Sequence, residues 1–169
     1  MAWMMVLFGF QALFVFCMCY AIVSDFRQLL IPNWIIITLI AAFLPFALLY
    51  LEPVSVLWHL LVALVVLAFA IVFFSINWIG GGDVKLLAGV ALWAGPRDIS
   101  LLLLLMSAGG ALIAIVLMGL RMYGDLLEPS LPDSSFLKRL QVLAQEGQCP
   151  YGVAIGGAAL ALLHRIFME

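Results

Sequence analysis

The sequence predicts an all-α, polytopic integral membrane protein with six transmembrane helices, the fourth of them short. Two observations predict it. Hydrophobic residues make up 67% of the 169 residues and charged residues only 9%, against the ~25% charged that soluble domains carry. The apolar residues, among them twelve Phe and five Trp, also gather in long runs that belong in lipid. A formal net charge of −2 with no basic stripe excludes nucleic acid as a partner, because nothing could displace counterions from a phosphate backbone.

The first run, Ala2 to Val23, lacks a basic leader and is too long for the apolar region of a signal peptide, so it reads as an anchor. The second and third cover Trp34 to Leu51 and Val54 to Ser75. The fourth, Val84 to Ala94, reaches only ~17 Å against a hydrocarbon core of ~30 Å. It must extend at its ends, thin the bilayer or re-enter, and non-helical backbone at that depth needs protein or a wet cavity beside it. A short helix next to a glycine run therefore marks a site. The fifth run is Ile99 to Leu120 and the sixth Tyr151 to Phe167.

Between the last two lies the one substantial polar segment, residues 122–149. Phe136, Leu137, Leu140, Leu143 and Ala144 share a helical face opposite Lys138, Arg139, Gln141 and Gln145. Capped by Ser134 or Ser135, this suits an amphipathic helix at the membrane interface, or a connector. With no internal repeat, residues 1–169 read as one membrane-embedded domain.

Alternating the loops between two sides groups Arg27, Lys85, Arg121, Lys138 and Arg139 against Arg97 and Arg165. The excess of basic residues makes the first side cytoplasmic and puts both termini outside. Asp25 and Asp83, from different loops, then fall on the same cytoplasmic side. Cys17, Cys19 and Cys149 have no framework spacing and read as free thiols. His59 and His164 stand singly in apolar runs and read as structural, so no metal and no cofactor is expected.

Two constellations carry chemistry. In the first, Asp25 ends a span while Pro32 and Asn33 open the next; a helix stop and cap would account for it alone. The second is Gly80-Gly81-Gly82-Asp83-Val84-Lys85. Consecutive glycines at a membrane boundary give φ freedom and let another chain approach; no Gly-Lys-Ser/Thr follows, so this is not a phosphate loop. Lys85 reads as a snorkelling anchor. Two carboxylates brought within a few ångströms share a proton and titrate as a pair, the arrangement with which an aspartic dyad activates water and polarises a scissile carbonyl.

Asp25 with Ile31-Pro32-Asn33, then Gly80-x-Gly82-Asp83-x-Lys85-Leu86, and finally Pro150-Tyr151-Gly152-Val153-Ala154-Ile155, together resemble the prepilin leader peptidase family of GxGD aspartic intramembrane proteases. The resemblance runs over nearly the whole chain. Asp25 follows directly on the first span, leaving no room for the CxxC-bearing insertion of the bifunctional members. The chain thus resembles the short, peptidase-only branch associated with Flp-type pili, without N-methyltransferase activity; archaeal preflagellin peptidases share that architecture.

The resemblance implies Asp25 and Asp83 as the catalytic pair. Gly80, Gly82, Pro32, Asn33, Lys85, Pro150, Tyr151 and Gly152 would shape the site or the substrate's approach. It also implies the bacterial inner membrane as location and prepilin or pseudopilin precursors, membrane lipids and pilus-assembly machinery as partners. A small proton or ion transporter using the two aspartates is the rival from another class; against it, the span interiors hold almost no charge.

Overall fold

The computed structural model describes residues 2–127 and 135–167. Among them every regular element is a helix: α1 (Ala2–Gln28), α2 (Asn33–Tyr50), α3 (Pro53–Ser75), α4 (Gly81–Leu127), α5 (Ser135–Glu146), α6 (Tyr151–Ala161) and α7 (Leu163–Phe167). α4 is the central element, packing against α3, α6, α5 and α2, while α1 lies against α6 and α2.

Where the sequence led to an expectation of six spans, four helices are long and apolar enough to cross a membrane: Trp3–Gln28, Asn33–Tyr50, Pro53–Ser75 and Gly81–Met122. The difference arises at both later junctions. The expected fourth and fifth runs join into α4, and the expected sixth divides into the short helices α6 and α7. Large apolar side chains such as Leu57, Leu64 and Phe69 face outward at more than 60% exposure, which is stable in lipid and not in water. The protein is membrane-embedded.

α4 is not continuous. Gly95 adopts φ 61° and ψ −171°, so residues 81–94 and 96–127 form two arms. Pro96 follows and has no N–H to offer the Leu92 carbonyl one turn back. The orphaned carbonyl is taken by His59 of α3, whose Nδ1 lies 2.8 Å away. Since a carbonyl only accepts, Nδ1 must carry the proton. A Cβ on residue 95 would strike the same imidazole ring; the glycine thus serves both the left-handed φ and the fit of His59. The structural reading of this histidine has a specific reason.

The core gathers around Trp93, which is 1% exposed. Phe46, Phe167 and Phe14 stand with ring centroids 5.0, 5.2 and 5.4 Å from it, and its Nε1–H donates to the Leu39 carbonyl at 3.1 Å. One indole therefore locks α1, α2, α4 and α7 together. Beyond the break, Asp98 is buried and receives the Arg165 guanidinium, Nε to Oδ1 2.6 Å, which ties α7 to the start of the second arm.

α5 places Leu143 and Ala144 in a small cluster with Leu117 of α4, as the amphipathic pattern predicts. Arg139, expected on the outer polar face, instead donates Nε–H to the Phe26 carbonyl at 3.0 Å. That carbonyl is one of the last four of α1, which lack partners within the helix. The capping assigned to Ser134 or Ser135 lies outside the described residues and side chains.

Candidate active site

The apolar run of the first span reaches Val23 with Asp25 at its end; the helix itself continues to Gln28, which puts Asp25 in its last turn. The helix closes with Leu29 at φ 52° and the Leu29 amide returning to the Asp25 carbonyl at 2.8 Å, a left-handed cap made without glycine. Such a φ is unfavourable for a side-chain-bearing residue. The Ser24 hydroxyl holds the turn by donating to the Leu30 carbonyl at 2.6 Å. The chain then reaches Pro32, extended at φ −62° and ψ 137°, and starts α2 at Asn33.

Asp83 arrives from the other direction. α3 ends on Asn77 at φ 58°, with the Asn77 amide donating to the Phe74 carbonyl and the Trp78 amide to that of Phe73, a Schellman closure. Gly80 then precedes α4, and Asp83 occupies its first turn. The sequence suggested two uses for the glycine run, and the structure employs one. Among the described glycines only Gly95 and Gly147 have positive φ, so Gly80, Gly81 and Gly82 do not exploit the left-handed region. They provide room: a Cβ on residue 82 would lie 3.2 Å from the Ile31 Cβ, and one on residue 80 would lie 3.0 Å from Asp83 Oδ2.

The two carboxyls meet at the start of α6. Asp25, 3% exposed, accepts the Val153 amide on Oδ2 at 3.3 Å. The Gly152 amide faces both Asp25 and Asp83, and the Gly80 amide faces Asp83. A Cβ on residue 152 would sit 2.9 Å from Asp25 Cγ and Oδ2 and from Ile31 Cδ1, so only glycine lets the α6 backbone come so near. Asp83 Oδ1 is buried without a hydrogen-bond partner. Such an atom is costly and marks a place where a proton, a water or a substrate group belongs. Among the described residues no basic side chain pairs with either carboxyl.

The other residues singled out from sequence divide into neighbours and outliers. Lys85 Nζ donates to Asn33 Oδ1 at 3.1 Å; the pair joins the first turns of α2 and α4, a more definite role than a snorkelling anchor. Pro150 is the N-cap of α6. Tyr151 packs its ring against Gly110 of α4, 3.6 Å from where a Cβ would be.

Sequence reasoning missed two residues. Ile31 fills the space between Gly82 and Gly152. Cys149 lies within electrostatic reach of both aspartates: burial pushes its thiol up from the ordinary range, and the negative charges of Asp25 and Asp83 push it further. Adjacency to Pro150 was the only signal for Cys149. For Ile31 it was its place in the Ile31-Pro32-Asn33 motif.

Among the described residues no group of His, Cys, Asp and Glu is arranged to hold a metal ion. A buried acid, Asp25, and a half-buried one, Asp83, that face each other across a backbone amide are suited to sharing a proton and handling water. The sequence model of the type IV leader peptidase family matches residues 12–115, a stretch that contains both aspartates. No curated protein and no solved structure matches the chain.

Proposed function

The chain belongs to the type IV leader peptidase family and is accordingly a membrane peptidase; from this premise we propose that it cleaves prepilin-type precursors with Asp25 and Asp83 as its catalytic dyad. One observation carries the assignment of the pair: two carboxyls from different helices face the single Gly152 amide, with Asp83 Oδ1 left unpartnered. In the reaction, one carboxylate removes a proton from a water while the protonated partner donates to the scissile carbonyl oxygen. The charge that develops stays on two groups held in place by the amides of Gly80, Gly152 and Val153.

The substrate has a short basic leader in the cytoplasm and an apolar helix in the membrane, and is cut at their junction. Gly80 lets the Asp83 carboxyl, and Gly82 lets Ile31, lie close against the start of α4, which fixes the edge that the substrate approaches. The Asn33–Lys85 bond holds the two helix starts that frame this edge. Both aspartates lie at the cytoplasmic face of the inner membrane, and both termini lie outside. The run Gly81–Met122 spans 42 residues; at 1.5 Å per residue it is ~63 Å long, about twice a ~30 Å hydrocarbon core. The break at Gly95 divides it into two crossings, and α6 with α7 completes six.

Co-expression of the wild type and the Asp83→Asn variant with a tagged Flp-type prepilin tests the proposal, with leader removal read by gel shift and the new terminus by mass spectrometry. Cleavage after the leader by the wild type, absent in the variant, is the expected result. Cleavage that persists in the variant above that of cells lacking the protein removes the dyad. If the wild type cuts a preflagellin and no prepilin, the substrate class shifts while the chemistry stays.

A further inference from the structure

A cleft of about 740 Å³ opens on the outside of the bundle between α1, α4, α5 and α6. Its walls are apolar, with Ile22, Val23, Ile113 and Leu140 among them, and two guanidiniums, Arg27 and Arg139, line it as well. Val23 is 49% exposed, so this wall opens onto the surface that faces lipid. Arg27, one residue before the end of α1, is exposed and has no ion-pair partner among the described residues. Arg139 is oriented by its bond from Nε to the Phe26 carbonyl. That bond leaves its terminal nitrogens as the donors able to reach a ligand.

An apolar slot with cationic donors, on the surface of a membrane protein and at the end of a spanning helix, has a definite complement. From this geometry we infer that the cleft binds one anionic phospholipid, with its phosphate on Arg27 and Arg139 and an acyl chain along Ile22, Val23 and Ile113. Charge complementarity selects the headgroup: guanidinium forks match phosphate oxygens, and basic pockets between membrane helices on the cytoplasmic side take acidic lipids. The apolar walls select a lipid over free phosphate. Because Phe26 and Val153 also line the cleft, the lipid lies directly behind the residues flanking and holding Asp25, and it braces α5 against the end of α1. The site stands independently of the substrate assigned above; only the choice of leaflet rests on the proposed orientation.

Native mass spectrometry of the purified full chain tests this, with dioleoyl-phosphatidylglycerol and dioleoyl-phosphatidylcholine as probes. Wild-type protein is expected to retain phosphatidylglycerol in preference, and millimolar inorganic phosphate should not displace it. Each of Arg27→Gln and Arg139→Gln should weaken that retention about 5-fold, and the double variant more. Arg97→Gln, outside the cleft, should leave it unchanged. Equal retention of both lipids overturns the site, as does unchanged retention in Arg27→Gln, which is exposed and should not disturb folding. Displacement by phosphate alone reduces it to a simple anion site and also overturns the lipid assignment. Binding is read without any substrate, so its failure leaves the cleavage proposal standing, and failed cleavage leaves the lipid site standing.

Discussion

Two aspartates in this protein are buried to nearly the same degree, Asp25 at 3% and Asp98 at 2% exposure, and their surroundings are opposite. Asp98 has a guanidinium at 2.6 Å, and nearby, across the Gly95 break, His59 covers the carbonyl that Pro96 leaves open. Asp25 has backbone amides and, within electrostatic reach, another acid. At the Asp98 end each polar group just named has a partner, and the result is a rigid joint. At the Asp25 end one carboxylate oxygen, Asp83 Oδ1, has none. An acid matched to a cation holds structure; an acid set against an acid stores the potential for proton transfer.

The contrast can be broken at several points. Apart from the two aspartates themselves, the largest effect is expected at Gly152, where a Cβ would sit 2.9 Å from Asp25. Gly152→Ala should lower the rate of precursor cleavage by about 100-fold, since displacing a reacting group by a fraction of an ångström to an ångström costs that much. Folding, followed by thermal unfolding in detergent, should change far less. At the other end, Arg165→Gln leaves the Asp98 charge buried without its partner. A fully buried pair broken this way costs ~3–5 kcal/mol; with Arg165 half-exposed, about 2 kcal/mol is expected, measured as a lowered unfolding midpoint with cleavage retained.

His59→Phe tests the joint itself. It strands the Leu92 carbonyl beside Pro96 and should destabilise the protein by about 1–2 kcal/mol, read in the same unfolding assay. The smallest effect sharpens the comparison at the acidic end. The raised Cys149 thiol should react slowly with maleimide at neutral pH, because the thiolate is the nucleophile. In a background lacking Cys17 and Cys19, Asp25→Asn and Asp83→Asn should each speed alkylation a few-fold by removing a repelling charge. The same rate in both variants as in the parent would place the thiol out of reach of the carboxyls.

Much of this end was legible in the sequence because its signals are local. Asp25 before Pro32-Asn33, Asp83 after glycines, and Gly152 after Pro150-Tyr151 each sit at a junction that lipid and helix geometry make unusual. The remainder depends on distance in the chain. Asp98 and Arg165 are 67 residues apart, and nothing near either announces the other. The continuation of α1 past Asp25 to Gln28 was not legible because its closing left-handed residue is Leu29, where glycine would have been the signal. Arg139 reads as a surface cation until α1 supplies a carbonyl for it. The expected gap after Ala94 exists, but as a break within α4, since Gly95 changes the direction of the backbone while Pro96 starts the next arm at once.

The most direct test compares Asp83→Asn with Asp98→Asn in one preparation, measuring precursor cleavage and thermal unfolding on each. Asp83→Asn should lose cleavage with its unfolding midpoint unchanged or raised, because the negative charge set against Asp25 is removed. Asp98→Asn should keep cleavage and unfold at a lower temperature. Wild-type cleavage by Asp83→Asn, or loss of cleavage by a fully stable Asp98→Asn, would contradict the assignment of chemistry to one end and structure to the other.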